Sequence, residues 1–286
     1  MRNFATRIRL ACIVVLMPTV AAFGQQTGKG PFNPETNVQD AITYNDLGLA
    51  KEKKGDLNGA LADYNQAIKL NPKFSPAYDN RGNIKRKKGD LNGALVDINQ
   101  AIRLNPKNAI AYKNRGRVKE EKGDLEGATA DYNQAVSLNP KYATAYNHRG
   151  DLRRKKGDFN GAMADSTEAI KLDPKSSGAR DNLGSAKLMK GDLNGALAEY
   201  NQAIKLNPKN ATAYNNRGIA KERKGDLDGA LADYNQAIQL NPKYANAYKD
   251  RANAKRKQGD LQGANADFNQ AIKLGSRSGD VAETPD

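Results

Sequence analysis

From Leu227 onward, apolar and small residues recur at Leu227, Ala230, Leu231, Tyr234, Ala237 and Ile238. That spacing puts all six on one face of a helix and predicts a helix over about 227–240. A thinner stripe of Ala213, Tyr214 and Ala220 precedes it and predicts a helix over about 212–224. Between them lies Gly225-Asp226. Gly225 stands where a helix-ending left-handed residue is wanted, and Asp226 is placed to accept hydrogen bonds from the free N–H groups of the second helix. Pro242 closes the unit, because the residue before a proline resists helical geometry.

The same 34-residue pattern occurs seven times in phase, at 41–74, 75–108, 109–142, 143–176, 177–210, 211–244 and 245–278. The Gly-Asp corner recurs in every unit, from Gly55-Asp56 to Gly259-Asp260. Neither helix of a unit, A or B, can bury enough surface alone, so each unit must lean on its neighbours. A fixed period of this length predicts an all-α stacked array, without a single enclosed core. The chain has 286 residues of which 38% are hydrophobic, lean for a large globular core but adequate for a thin continuous seam.

The unit resembles the tetratricopeptide repeat. Tyr214 and Gly218 in helix A, Ala230, Tyr234 and Ala237 in helix B, and then Pro242 stand in that family's pattern. The columns recur at Tyr78, Gly82, Ala94, Ala101 and Pro106, and at Tyr112, Gly116, Ala128, Tyr132, Ala135 and Pro140. The resemblance implies a right-handed superhelical solenoid with helix A lining a concave groove, acting by binding proteins or peptides. Departures from the pattern are regular. The family's leucine before the helix A glycine is arginine at Arg81, Arg115, Arg149, Arg217 and Arg251, while Leu47 and Leu183 keep the apolar form. An acid recurs in helix B at Asp63, Asp97, Asp131, Asp165, Glu199, Asp233 and Asp267. The arginines are expected to pair with these acids at the packing seam, their stems covering apolar surface. A glycine near the start of each helix B, from Gly59 to Gly263, is expected to cost stability, up to about 1 kcal/mol each against Ala.

The ends differ from the array. Residues 1–24 carry Arg2, Arg7 and Arg9, an apolar run from Leu10 to Met17, and small residues up to Gly24, the layout of a secretory signal peptide. The run is far shorter than the roughly 20 residues of a membrane span. Export to a periplasm or the medium is therefore expected. Cys12, with Arg9 where a lipid-acceptor site has leucine and most of the apolar run after it, does not fit such a site; its removal with the signal leaves no cysteine and no disulfide. Residues 25–40 read as a flexible leader and 279–286 as a polar acidic, disordered tail. In the last unit Asn265 replaces the usual Leu and Ser276 the usual Pro, as suits an end facing water.

The formal charge is +14, and removing the three arginines of the signal leaves about +11. His148 is the only histidine, and no Gly-rich phosphate loop or His/Cys cluster is present. Neither an enzyme, a cofactor nor a metal is expected. One candidate site is a ladder in a single column of helix A: Asn80, Asn114, His148, Asn182 and Asn216, with His148 expected to be exposed in the groove and Asp46 and Asp250 at the ends. Each Asn offers a donor and an acceptor, so the column suits an extended peptide backbone. A carboxylate clamp, begun by Lys113 and Arg117 and again by Lys249 and Asn253, is not completed. A second candidate is a basic stripe of Lys85, Arg86, Lys87, Lys119, Arg153, Arg154, Lys155, Lys221 and Arg256, suited to acidic surfaces or anionic envelope polymers. Nucleic acid is disfavoured by the export signal and by the lack of aromatics in the stripe. Units four and five are irregular at Ser166, Arg180, Leu188 and Met189, and the loss of two aromatics is expected to loosen stacking there.

Overall fold

The computed structural model describes residues 34–275, as fourteen helices and their connections. The segments read as signal peptide and acidic tail lie outside the described residues. The A helices are α1 (Pro34–Lys53), α3 (Ser75–Lys87), α5 (Ala109–Glu121), α7 (Ala143–Lys155), α9 (Ser177–Met189), α11 (Ala211–Arg223) and α13 (Ala245–Gln258). The B helices are α2 (Leu57–Leu70), α4 (Leu91–Leu104), α6 (Leu125–Leu138), α8 (Phe159–Leu172), α10 (Leu193–Leu206), α12 (Leu227–Leu240) and α14 (Leu261–Lys273). The expected leader is corrected over 34–40, which are helical and lengthen α1. Pro34 supplies a fixed helical φ at the first position, and Glu35–Asp40 contains neither Gly nor Pro to break the helix.

The corner between helices is the same in every unit. Gly225 takes a φ of +86°, and the Asp226 Oδ1 accepts from the Gly229 N–H at 2.9 Å. A Cβ on Gly229 would lie 2.2 Å from the Asp226 Oδ2. The helix B glycine therefore makes room for the cap, and its propensity cost is offset by a capping bond of about 1 kcal/mol.

Helix B packs its stripe on the helix A before it and on the helix A after it. Ala230 and Tyr234 of α12 are fully buried with Ala254 of α13. The same arrangement joins Tyr64 to Ile84, Ile98 to Val118, Tyr132 to Leu152 and Tyr200 to Ala220. A helices also touch the A helices of adjacent units, whereas no such approach exists between B helices. The A helices therefore crowd the inner side of the array and the B helices the outer. The architecture is an all-α solenoid of seven helix pairs. No helix among the described residues is long and apolar enough to cross a membrane.

The inner face as a candidate functional site

The arginine column forms a clamp repeated in five units. Arg217 gives two parallel bonds to Asp233 of its own helix B, Nε–Oδ2 at 2.8 Å and Nη2–Oδ1 at 2.6 Å. Its Nη1 donates to the Asn201 Oδ1 of the preceding helix B at 2.8 Å, and its guanidinium lies 5.4 Å from the centroid of the Tyr214 ring. Arg81, Arg115, Arg149 and Arg251 repeat this with Asp97, Asp131, Asp165 and Asp267, and with Asn65, Asn99, Asn133 and Asn235. The expected arginine–acid pairing is present. Each arginine also links two successive units through an Asn in the outer helix, a contact the sequence reading missed.

The basic stripe is not a free cationic surface, which corrects the second candidate. Lys85, Lys119, Arg153 and Lys221 turn back onto the same helix B acids, Asp97, Asp131, Asp165 and Asp233, at 2.8–2.9 Å. Arg86 pairs with Glu121 at 2.6 Å, Lys87 with Glu52 at 2.7 Å, Arg154 with Asp151 at 2.7 Å and Lys155 with Glu120 at 2.7 Å. Arg256 alone of these nine has no ion pair among the described residues. The cause is the repeat itself, which sets these helix A cations beside acids of the same or an adjacent unit.

The Asn ladder is likewise occupied internally, correcting the first candidate. Each asparagine of the ladder bonds the residue 35 positions earlier, on the preceding A helix. The Asn80 Nδ2 donates to the Asn45 Oδ1 at 2.8 Å, and the Asn182 Nδ2 to the Asn147 Oδ1 at 2.9 Å. The Asn114 Nδ2 donates to both Asp79 oxygens at 3.0 Å, and the Asn216 Nδ2 to both Asp181 oxygens at 3.1 and 3.2 Å. Asn114 is buried and the others half-buried. Their donors tie A helices together and are not open to a passing peptide. His148, expected as an exposed groove residue, is half-buried and stacked on Tyr132 with ring centroids 5.8 Å apart. Burial, then the nearby Arg117 and Lys113 charges, push its pKa down to about 4. It is neutral near pH 7.

A further column went unseen in the sequence. Twelve residues before the helix B aromatic stands Glu in units one, three and six, and the Tyr64, Tyr132 and Tyr234 hydroxyls donate to Glu52, Glu120 and Glu222 at 3.1, 2.8 and 2.7 Å. In units two, four and seven the helix B residue is Ile98, Ser166 or Phe268, with no phenol to place, and the partner column carries Arg86, Arg154 or Arg256. Comparing the two columns across the seven copies was the available signal.

The irregular units follow from the same logic. Leu183 replaces the clamp arginine where Thr167 replaces its Asn partner, so both ends of that contact are lost together. Arg180 takes the Tyr position one turn earlier and reaches Glu199 at 3.1 Å, with Lys187 on the same carboxylate at 2.8 Å. Leu188 is buried against Tyr200, Ala196 and Ala220, and the Tyr200 hydroxyl turns to the Ser185 Oγ at 3.2 Å. Stacking is not loosened. Ser166 is fully buried, and α8 and α9 have the most extensive backbone approach of any pair of helices from adjacent units. A small side chain lets the backbones close in where a ring would hold them apart. Met189 stays partly exposed.

What remains uncompensated on the inner face lies in two places. In unit three, Lys113 is pushed down to about 8 by burial and then by Arg117, and burial with Arg86 also lowers Arg117. Between units six and seven an open cleft of about 430 Å³ is lined by Asn216, Arg223, Tyr244, Lys249, Asn253 and Arg256, among others. Arg223, Lys249 and Arg256 have no ion pair among the described residues. In the same cleft the Asn215 Nδ2 donates to the Asp250 Oδ2 at 2.8 Å, while the buried Asn215 Oδ1 has no partner. Burial pushes Asp250 up to about 6, and likewise Asp181, the partner of Asn216, to about 6. Among the described residues no cluster of His, Cys, Asp and Glu is arranged to hold a metal ion.

Comparison with known proteins agrees with this architecture. Family models described as TPR repeat match residues 82–123, 116–153 and 184–225, and models described as tetratricopeptide repeat match 41–74, 143–176 and 211–244. No curated protein matches the chain. Among solved structures it is similar to a tetratricopeptide repeat protein from Parabacteroides merdae ATCC 43184, with 26% identity and a TM-score of 0.66 over 84% of this chain and 95% of that one. It is also similar in fold to the APC/C hetero-tetramer Cut9-Hcn1, with 17% identity and a TM-score of 0.74 over 81% of this chain and 46% of that one. PilW, a type IV pilus biogenesis factor, is similar in fold at 20% identity and a TM-score of 0.63, covering 70% of this chain and 92% of that one. Seven units in phase, their corner and seam geometry, and these matches lead to one assignment: the chain belongs to the tetratricopeptide repeat family.

Proposed function

We propose that this protein is an exported interaction scaffold that holds an extended, acidic segment of a partner protein along its inner face. The observation that supports this reading is the position of the unpaired cations. Eight of the nine cations of the basic stripe are neutralised by acids of the array. Arg223, Lys249 and Arg256 instead line one open cleft together with the amide side chain of Asn253. Cations with no ion pair of their own favour an incoming carboxylate even though Asp250 and the Lys257-bound Glu222 line the same cleft, and the Asn253 amide suits a peptide backbone. The layout of residues 1–24 supports export.

The experiment is a titration of fluorescent ten-residue peptides, acidic and basic, against the wild type and an Arg223→Gln/Arg256→Gln variant. The acidic peptide is expected to bind the wild type and to lose about tenfold in affinity with the variant, in line with charged hydrogen bonds of about 1.5–3 kcal/mol. Equal affinity for both peptides, or none for either, overturns the reading. Tight binding of a long anionic polysaccharide, lost steeply with salt and indifferent to the substitutions, supports the polymer alternative instead.

A further inference from the structure

Among the described residues the two ends of the array are uncovered. On α14, Leu261 is 61% and Ile272 72% exposed. Their counterparts in the six earlier units, from Leu57 to Leu227 and from Ile68 to Ile238, are half-buried or buried under the next A helix. On α1, Leu47 is 46% exposed, whereas Leu183, the other leucine of that column, is 7% exposed within the closely packed junction of units four and five. Thr43 and Ala50 of α1 are also exposed, where every later unit buries an Ala at the first position and an apolar residue at the second.

Charge adds a direction. Adjacent A helices meet through residues 35 apart, as Asn80 meets Asn45 and Asp250 meets Asn215. Continuing that register past the seventh unit sets Lys249 of one copy opposite Asp46 of the next. Neither residue has an ion pair within the described residues. The same register places Lys54 at Gln262, repeating the Lys224 to Asn194 contact of 2.7 Å. It also brings Lys53 towards Arg256, a like-charged pair at the rim that weakens the contact.

We propose that a second copy of this chain docks its first unit on the seventh unit of the first copy, repeating the internal junction. The interface is heterologous, the α14 face of one copy against the α1 face of another, so it propagates as an open chain. Without a covalent turn between the units, the association is reversible and grows with concentration.

Sedimentation of the full chain from about 10 µM to about 1 mM tests this, a range matched to weak interfaces. The expected result is a rising average mass. A single monomeric species throughout overturns the proposal. Ile272→Glu blocks one face and Leu47→Glu the other, both at exposed sites, with helicity checked by circular dichroism. Each variant alone is expected to stay monomeric, and the two mixed are expected to form a dimer and nothing larger. Self-association of either variant, or no dimer on mixing, overturns it. Lys249→Asp should weaken association about threefold, and Asp46→Lys in the same chain should restore it, the scale of an exposed ion pair.

Discussion

Unit six and unit four solve one packing problem in opposite ways. In unit six the Tyr234 ring fills the space between α11 and α12, and a Cβ on Gly218 would lie 2.6 Å from that ring. The Tyr234 hydroxyl then reaches Glu222, which also takes Lys257 of the next unit at 2.8 Å. In unit four the ring is gone. A Cβ on Gly150 would lie 3.2 Å from Ser166 and Asp165, Arg154 stands in place of Glu, and the next A helix moves in. An aromatic residue can therefore act as a spacer as well as a filler. Removing it from one unit need not leave a void when the neighbouring unit can approach.

The comparison breaks first at Tyr234. Tyr234→Ala should cost about 3–5 kcal/mol, because the ring is fully buried between rigid helices. Urea unfolding would show it, and a loss below 1 kcal/mol would mean that unit six can close up as unit four does. The reverse substitution, Ser166→Tyr, should destabilise by about 1–3 kcal/mol through overpacking. Adding Arg154→Glu should recover part of that loss, since it supplies the hydroxyl's acceptor. The same unfolding assay distinguishes the two. Tyr234→Phe should cost only about 1 kcal/mol, the net worth of one hydrogen bond, because Glu222 keeps Lys257.

The smallest effect sharpens the contrast in pH. Asp250 and Asp181 have native pKa values raised to about 6, with burial the leading cause. The native state therefore holds protons that the unfolded chain releases between about pH 4 and pH 6. The resulting stabilisation is fully present below about pH 4 and lost as pH rises through 6. Asp250→Asn should flatten the fall in melting temperature between pH 4.5 and 7 relative to the wild type. Calorimetry at the two pH values would check it, and an unchanged slope would count against the assignment.

Much of the array was legible in the sequence. The B helix predicted over 227–240 is the helix found, and the Gly225-Asp226 corner and the arginine–acid pairs are where the pattern places them. These are local: they depend on capping chemistry, helical period and residues of one unit. The candidate sites were less legible. Asn114 and Asn216 have the right groups for a peptide ladder, yet their donors are taken by Asp79 and Asp181. Lys85 and Lys221 have the right charge for a basic stripe, yet each folds onto an acid.

By itself the sequence determined the period, the helix pairs and the family, because a 34-residue repeat of capping, small and aromatic positions leaves one architecture able to bury its seam. Only the tertiary structure decided which polar groups remain open. A side chain's availability depends on its neighbour one unit away, and stacking sets that neighbour by bringing residues 35 positions apart into hydrogen-bonding distance. The unpaired cations of units six and seven are among those that these internal pairs leave open.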